Sequence, residues 1–250
     1  MIKLIVANWK MAPVSSGEAR GILESVNEYL ETLPQGLPAR IVVCPPFVFI
    51  EEVAKLLSLS ALSHNTSLGA QDISWEEQSA HTGEVSADML QNLGVRYVIV
   101  GHSERRWEMN ESNEEVNKKL KSVLKEGMTP IVCLGERERN AGFKDFLKQQ
   151  AQETFTGMSH DDMSRCFIAY EPVWAISSNP GARPDTPASA LESMNIIREA
   201  LGGELHFIYG GSVKSNNIQE FWDQEGIEGV LVGGASVNKE EFLKILSLIK

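Results

Sequence analysis

Short apolar runs alternate with longer amphipathic stretches along the whole chain, and this alternation restricts the possible folds more than any other feature. Most of the runs are rich in valine and isoleucine and lack alternating polar residues, which is typical of parallel strands covered on both faces. An eighth strand is predicted within the polar stretch 62–71, mainly from its place in the series. The other seven are predicted at 2–7, 40–44, 97–100, 130–133, 167–170, 206–209 and 229–232.

The stretches between these runs carry the start and stop signals of helices. A serine followed three residues later by glutamate is a capping box, and proline favours the first helical turn. A glycine directly after an apolar stripe ends a helix. Such signals predict helix ends at Gly127 and Gly202, and helix starts at Ser15 with Glu18, Ser112 with Glu115, Thr186 with Pro187, Asn216 with Gln219, and Asn238 with Glu241.

Repeated strand–helix units predict right-handed crossovers and a parallel sheet. Eight such units in 250 residues fit a closed (β/α)₈ barrel that forms a single domain over residues 1–250. The alternative is a doubly wound open sheet, which usually carries a GxGxxG fingerprint after its first strand. The sequence there is Ala7-Asn8-Trp9-Lys10, which favours the barrel.

Composition narrows the class of protein. The net charge of −11 argues against nucleic acid or an anionic lipid surface as a partner. The three cysteines, Cys44, Cys133 and Cys166, are widely spaced, which disfavours a disulfide framework or a zinc site and favours a reducing compartment. The N-terminal residues lack a signal-like apolar stretch, and no apolar run reaches the roughly 18 residues of a membrane helix. We therefore expect a cytoplasmic protein.

In a parallel barrel, the chemistry lies beyond the carboxyl ends of the strands. Two glycine pairs, Gly210-Gly211 before Ser212 and Gly233-Gly234, follow the seventh and eighth strands. Backbone N–H groups in such turns can bind a phosphate, although the same glycines can serve only to form tight turns. The other polar residues at this rim are Asn8, Lys10, His102, Ser103, Glu104, Glu136 and Glu171.

Two of these residues suggest acid–base chemistry. His102 precedes a helix, whose N-terminus disfavours the imidazolium form, so a neutral ring is expected. Glu171 ends an apolar strand before Pro172 and could act as a base on a carbon acid. The alternatives are that His102 has only a structural role and that Glu171 forms a salt bridge. The segment 175–187 is rich in Ser, Asn, Pro and Gly and is either a lid or an ordinary surface loop.

Taken together, these motifs resemble the triosephosphate isomerase family over essentially the whole chain. The matching pieces are Ala7-Asn8-Trp9-Lys10-Met11, Gly69-Ala70-Gln71, Thr82-Gly83-Glu84, Gly101-His102-Ser103-Glu104-Arg105-Arg106, Cys133-Leu134-Gly135-Glu136, Tyr170-Glu171-Pro172-Val173-Trp174-Ala175-Ile176, Tyr209-Gly210-Gly211-Ser212-Val213 and Leu231-Val232-Gly233-Gly234-Ala235-Ser236. The resemblance implies a homodimeric barrel that interconverts dihydroxyacetone phosphate and D-glyceraldehyde 3-phosphate, with no metal and no organic cofactor.

The resemblance also implies a role for each site residue. Glu171 would be the base and His102 the neutral electrophile, while Asn8 and Lys10 would stabilise the enediolate. Glu104 would hold Lys10 and the histidine in register, and Ser103 would hold the base while the lid is open. The phosphate would be bound by Gly211, Ser212, Gly233, Gly234 and the lid residues Ser177 and Asn179, with Cys133 and Thr82 as supporting residues.

Two loops depart from the family pattern. The lid tip, usually Ile-Gly-Thr-Gly, reads Ile176-Ser177-Ser178-Asn179-Pro180, so two flexible glycines are replaced. In the third loop, Asp72 replaces the usual Asn, and Ser79 and His81 replace a small-plus-aromatic pair before Thr82. The family's dimer contact lies in this loop, here 72–84, and the family pattern suggests that Glu84 pairs with Arg105.

Two other functions stay open on the sequence. The chain could be a phosphate-binding barrel whose altered lid tip impairs turnover. It could also isomerise another small phosphosugar.

Overall fold

The computed structural model describes residues 2–58, 62–76, 81–177 and 179–250. Eight parallel strands pair in chain order and close into a barrel, with β8 beside β1. The strands are β1 Lys3–Asn8, β2 Ala39–Cys44, β3 Thr66–Ala70, β4 Tyr97–Val100, β5 Thr129–Leu134, β6 Phe167–Tyr170, β7 His206–Tyr209 and β8 Gly229–Val232. The predicted (β/α)₈ fold is confirmed, and the open-sheet alternative is excluded by the closure of the barrel.

Strand bounds match the sequence prediction closely. Strands β4, β6, β7 and β8 have the predicted limits, while β1, β2 and β5 differ by one residue at one or both ends. The third strand is the main correction, because only Thr66–Ala70 is extended and Leu62–Asn65 forms a helical turn. The Asn65 side chain there donates to the carbonyl of Leu37 at 2.9 Å, which anchors the turn beside β2.

Helices connect the strands and cover the outside of the barrel. They are α1 Ser16–Glu31, α2 Ile50–Ser58, α3 Leu62–Asn65, α4 Ala87–Asn92, α5 Ser103–Glu108, α6 Asn113–Lys125, α7 Phe143–Thr154, α8 His160–Ser164, α9 Pro187–Leu201, α10 Ile218–Trp222 and α11 Lys239–Ser247. In the described parts of the chain, none of them combines the length and apolar character needed to cross a membrane.

Most of the predicted helix signals are confirmed. Ser112 and Glu115 form a full capping box, Thr186 caps α9 before its first-turn proline, and Asn238 caps α11. Gly127 follows the C-cap residue of α6, and Gly202 follows the last residue of α9. Their φ values are positive, 70° and 68°, which glycine adopts without steric penalty.

Two helix starts differ from the prediction. Ser15 caps α1, but the Glu18 carboxylate accepts from Val14 N–H, so only half of the predicted box forms. The predicted cap Asn216 is wrong, because the N-cap of α10 is Asn217. The Asn217 side chain is occupied with the loop before the helix: its oxygen accepts from Lys214 N–H and its nitrogen donates to the Ser212 carbonyl.

Two apolar layers position the rim. Residues that point into the barrel fill its interior, and they are Leu4, Val6, Val42, Cys44, Ile99, Ile131, Cys133, Ala169, Ile208 and Leu231. A larger layer lies between the strands and the helices and includes Val98, Val132 and Phe207. Because both faces of each strand are buried, the strand ends are held firmly, and the polar residues that follow them have fixed starting points.

Candidate active site

The predicted acid–base pair meets at the carboxyl ends of β4 and β6. His102 Nε2 lies 3.1 Å from Glu171 Oε1, although the two residues are 69 positions apart in sequence. Both side chains are buried. The Glu171 Oε2 atom accepts from the backbone N–H of Ser103 at 2.8 Å. Ser103 therefore holds the carboxylate, as the resemblance implied, through its amide.

The position of His102 at the start of α5 sets its tautomer. As the N-cap residue, it accepts the backbone N–H of Glu104 on Nδ1 at 3.3 Å. The Glu104 carboxylate is also near this nitrogen, at 3.5 Å, but it already accepts from Lys10. A nitrogen that accepts an N–H bond carries no proton, so this contact corresponds to the tautomer with its proton on Nε2. The N–H group thus lies on the side of the ring that faces Glu171.

One oxygen of Glu171 remains without a hydrogen bond. Oε1 is buried and forms none with the described residues, although His102 Nε2 lies 3.1 Å away. A buried acceptor that lacks a partner is unfavourable, and such atoms mark functional sites. The free lone pair is what a base needs in order to take a proton from a ligand.

Close backbone contacts fix where Glu171 stands. A Cβ atom added to Gly135 would lie 1.8 Å from the Glu171 carbonyl oxygen, so only glycine fits there. On the other side, a Cβ on Gly210 would lie 2.9 Å from Glu171 Cγ. Glu171 N–H donates to the Leu134 carbonyl at 2.8 Å. Gly135 and Gly210 therefore fix the position of Glu171 in addition to forming turns at the rim.

Lys10 stands on a strained backbone beside Asn8. Its φ is 53°, in the left-handed region that non-glycine residues rarely adopt. The Asn8 side chain accepts Lys10 N–H at 3.0 Å. Gln71 donates to the carbonyls of Lys10 and Cys44, both at 2.9 Å. Gln71 was missed as a site residue because it follows the weakly predicted third strand.

The Lys10 side chain lies between the turn after β8 and the residues around His102. It donates to Glu104 Oε1 at 2.5 Å, and its Cε would lie 3.2 Å from a Cβ on Gly233. Gly233 and Gly234 lead into a short 3₁₀ turn over Gly234–Ser236. The structure thus brings together Asn8, Lys10, His102, Glu104 and Glu171 with the turn after β8.

The segment after Glu171 is tied to the turn after β7. Ser212 Oγ accepts Ser177 N–H at 2.7 Å and donates to the Ala175 carbonyl at 2.8 Å. The Asn179 side chain donates to the Val173 carbonyl at 2.7 Å, a bond that glycine could not form. Ser178 lies outside the described residues. Gly211 precedes Ser212, and a Cβ there would lie 2.2 Å from the Tyr209 hydroxyl oxygen.

A buried carboxylate anchors the start of this lid segment. Glu136 accepts from the Tyr170 hydroxyl at 2.9 Å and from the Trp174 indole at 2.9 Å. Arg139 adds a third contact at 3.2 Å. The sequence placed Glu136 at the rim but gave it no role, and Arg139 was missed because it lies three residues beyond the motif.

Cys133 lies inside the barrel next to the base. Burial, together with the negative charge of Glu171, raises the pKa of its thiol well above the ordinary value, so it stays protonated. It is therefore a packing and dipolar neighbour of Glu171.

The third loop stands apart from this cluster. Arg105 pairs with Asp72 at 2.8 Å and with Glu111 at 3.2 Å, and the suggested pairing with Glu84 does not occur among the described contacts. Thr82 is exposed and lines a separate cavity of about 530 Å³ with Arg105. Ser79 lies outside the described residues. Within one chain, Thr82 therefore lines a different cavity from the one beside His102 and Glu171.

A second cavity, of about 610 Å³, opens between the turn after β4 and the lid. Ser103, Glu104 and Asn179 line it, whereas Lys10, Glu171 and Gly233 do not. It therefore lies beside the cluster of polar residues and is not its mouth.

Comparisons with known proteins agree with this geometry. The family model described as triosephosphate isomerase matches residues 3–249. Triosephosphate isomerases from Alkaliphilus oremlandii and Thermoanaerobacter pseudethanolicus are 41% and 42% identical, each over 98% of both chains. The crystal structure of triosephosphate isomerase from Bartonella henselae aligns with a TM-score of 0.80 at 28% identity, covering 98% of both chains. The chain therefore belongs to the triosephosphate isomerase family.

Proposed function

We propose that this protein is an enzyme of glycolysis and gluconeogenesis that interconverts dihydroxyacetone phosphate and D-glyceraldehyde 3-phosphate. The observation that carries the proposal is the 3.1 Å approach of His102 Nε2 to Glu171 Oε1, an oxygen without a hydrogen bond among the described residues. Few functions other than proton transfer require a buried carboxylate and an imidazole N–H at the same point.

The proposed reaction moves one proton between adjacent carbons. Glu171 takes the proton from the carbon next to the carbonyl, and the electron pair moves onto the carbonyl oxygen. His102 donates its Nε2–H to that oxygen and exchanges protons between the two oxygens of the enediolate. Glu171 then returns its proton to the neighbouring carbon. A positioned base supplies about 10²–10⁴-fold of the rate, and fixed dipoles must supply the rest.

The remaining site residues bind the charged parts of the substrate. Lys10 and Asn8 stabilise the developing oxyanion, and Glu104 orients Lys10 through its 2.5 Å contact. Backbone N–H groups of Gly211, Ser212, Gly233 and Gly234 bind the phosphate, with Ser177 and Asn179 closing over it. An enediolate beside a phosphate loses that phosphate when water has access, so closure protects the intermediate.

The test is turnover of glyceraldehyde 3-phosphate by the purified protein. In the variant Glu171→Asp, we expect kcat to fall about 10²-fold, because the carboxylate retreats by about 1 Å. The matched control is Glu199→Asp on an exposed helix face, which should keep wild-type activity. Wild-type turnover in Glu171→Asp would show that Glu171 is not the base.

A second candidate function is a phosphate-binding barrel with impaired turnover. The bond from Asn179 to Val173 favours it, because it ties down a lid tip that is glycine-rich in the family. Inorganic phosphate would then raise the melting temperature while the pure protein showed no turnover.

We also propose that the protein is a cytoplasmic homodimer. Large apolar side chains are exposed after β1, after β2 and along α4, and they are Met11, Val14, Phe47, Val48, Met89 and Leu93. Phe47, Met89 and Leu93 line the same cavity. Exposed apolar patches of this kind mark protein interfaces. The three cysteines are free and buried, which supports a reducing compartment.

A further inference from the structure

One arginine contacts the elements on both sides of the lid segment 175–187. Arg139 lies in the loop after β5, and its side chain is largely buried. Its Nη1 atom donates to Glu136 Oε1 at 3.2 Å and to Ser193 Oγ at 2.7 Å. Glu136 belongs to the same loop, whereas Ser193 lies on α9, which begins where the lid segment ends. A single guanidinium therefore joins the loop after β5 to the helix after the lid.

On the side before the lid, Glu136 holds the chain through its side chain and its backbone. Its Oε1 atom accepts from Trp174 Nε1 at 2.9 Å, and its carbonyl oxygen accepts from Val173 N–H at 3.1 Å. The carboxylate is buried, and Arg139 is the cation that pairs with it among the described contacts. A buried carboxylate requires such a counter-charge, so Arg139 holds Glu136, and through it Trp174, in place.

On the side after the lid, Arg139 holds the first two turns of α9. Besides its contact with Ser193, its Nη2 atom donates to the Ser189 carbonyl at 3.4 Å and to Glu192 Oε2 at 2.6 Å. Thr186, the N-cap of α9, is bonded to the same turn, because its side chain accepts from Ser189 N–H at 3.3 Å. The end of the lid segment is thus fixed to the helix turn that Arg139 contacts.

The shape of the guanidinium allows it to span both sides. Arginine presents five N–H donors in a rigid plane, whereas lysine carries its three donors on one nitrogen. The Arg139 Cζ atom lies 4.1 Å from the centre of the Phe143 ring, a cation–π contact that restrains this plane. A lysine at this position could keep the ion pair with Glu136, but it could not also make the contacts with α9.

On this basis, and resting on the proposed function, we infer that Arg139 is a positioning residue that holds the two ends of the lid segment at a fixed separation. The change of shape on closure is then confined to the residues between these ends, and the lid returns to one closed position over the phosphate. Arg139 acts through the lid rather than on the substrate. Its contribution is to keep water from the enediolate, because an incompletely closed lid allows loss of the phosphate.

The two possible fates of the enediolate separate this role from a merely structural one. In Arg139→Lys, we expect the ratio of released inorganic phosphate to isomerised product to rise about tenfold, as for the loss of one or two hydrogen bonds. The matched control is Arg137→Lys in the same loop, since Arg137 is exposed and forms no ion pair among the described residues. An unchanged ratio in Arg139→Lys, even with a lower kcat, would mean that Arg139 only stabilises the fold, and would overturn the inference.

A second measurement does not depend on turnover. Without substrate, hydrogen exchange of the segment 175–187 should be about fivefold faster in Arg139→Lys than in wild type, with α6 unchanged. Ser193→Ala removes only one bond to α9 and keeps the pair with Glu136, so it should also speed lid exchange, and it replaces Arg139→Lys if that variant does not fold. Unchanged lid exchange overturns the inference. Absence of turnover in wild type would count against the proposed function, and lid exchange would still decide whether Arg139 holds the lid.

Discussion

At the residue scale, the two oxygens of Glu171 have different surroundings. Oε2 is held by the Ser103 amide, while Oε1 has no partner among the described residues. One oxygen thus fixes the side chain and the other remains available for a proton. His102, the N-cap of α5, lies beside Oε1 with its Nε2 atom at 3.1 Å.

Asp185 offers a prediction at the same scale. It lies in the lid segment, both its oxygens are buried without a hydrogen bond among the described groups, and burial raises its pKa. The folded state therefore binds this proton more tightly than the unfolded state, and the free energy of unfolding falls as pH rises through the raised pKa. We expect Asp185→Asn to melt about 2 °C or more above wild type at pH 8, with the gain shrinking as pH approaches 4.

Thermal unfolding at a series of pH values measures this difference. The matched control is Asp145→Asn, since Asp145 is exposed and forms no ion pair among the described contacts. A pH-independent difference for Asp185→Asn would contradict the assignment.

At this scale, a feature could be predicted from the sequence only where residues next to it in the chain determine it. The place of His102 at the start of a helix followed from signals next to it in sequence, and the structure makes it the N-cap of α5. The left-handed backbone of Lys10 could not be predicted, because it is held by Gln71 from a distant strand end.

At the scale of elements, the lid and the turn after β7 share one hydroxyl group. Ser212→Ala removes the bonds to Ser177 N–H and the Ala175 carbonyl. Two net hydrogen bonds of about 0.5–1.5 kcal/mol each, together about 1–3 kcal/mol, correspond to a loss in kcat/KM of roughly 5- to 150-fold. Steady-state kinetics with glyceraldehyde 3-phosphate test this, with Ser58→Ala on α2 as the control. Unchanged kinetics would show that this contact does not contribute to closure.

The capping box of α6 gives a second prediction for an element. Ser112→Ala removes the acceptor for Glu115 N–H and the bond that the Ser112 hydroxyl donates to the Glu115 carboxylate, whereas the Ser112 backbone N–H keeps its bond to that carboxylate. Loss of such a cap costs about 1 kcal/mol, which lowers the melting temperature by roughly 2–4 °C for a chain of this length. Calorimetry should show no comparable drop for Ser247→Ala, in a serine that only bonds back to the Lys244 carbonyl. An equal drop in both would remove the cap as the explanation.

The sequence predicted the bounds of an element well where its apolar pattern and the turn signals beside it agreed. Strands β6, β7 and β8 have the predicted limits because each is a clean apolar run between turn signals. The start of the third strand could not be predicted, because its sequence is polar. The position of this strand is set by its pairing with β2 and β4. The cap of α10 shifted by one residue because Asn216 and Asn217 carry the same local signal.

At the scale of the whole molecule, six of the exposed apolar side chains follow β1 and β2 or lie along α4, while the chain as a whole carries a charge of −11. We expect Val48→Glu to convert the proposed homodimer to a monomer, because it places a charge among these apolar side chains. Mass measurement by light scattering tests this. Ile2→Glu is the control, since Ile2 is also exposed but lies at the opposite end of the barrel. A monomeric wild-type protein would rule out the dimer.

The doubly engaged hydroxyl of Ser212 has a consequence for how the cycle repeats. It has a single proton, which already goes to the Ala175 carbonyl, so a phosphoryl oxygen in the proposed phosphate site would obtain it only by displacing that carbonyl. A charged phosphate oxygen is the stronger acceptor, so this exchange favours the ligand, but only by the difference between the two bonds. Release of the product then returns the proton to the carbonyl, which lowers the free-energy cost of letting the phosphate go.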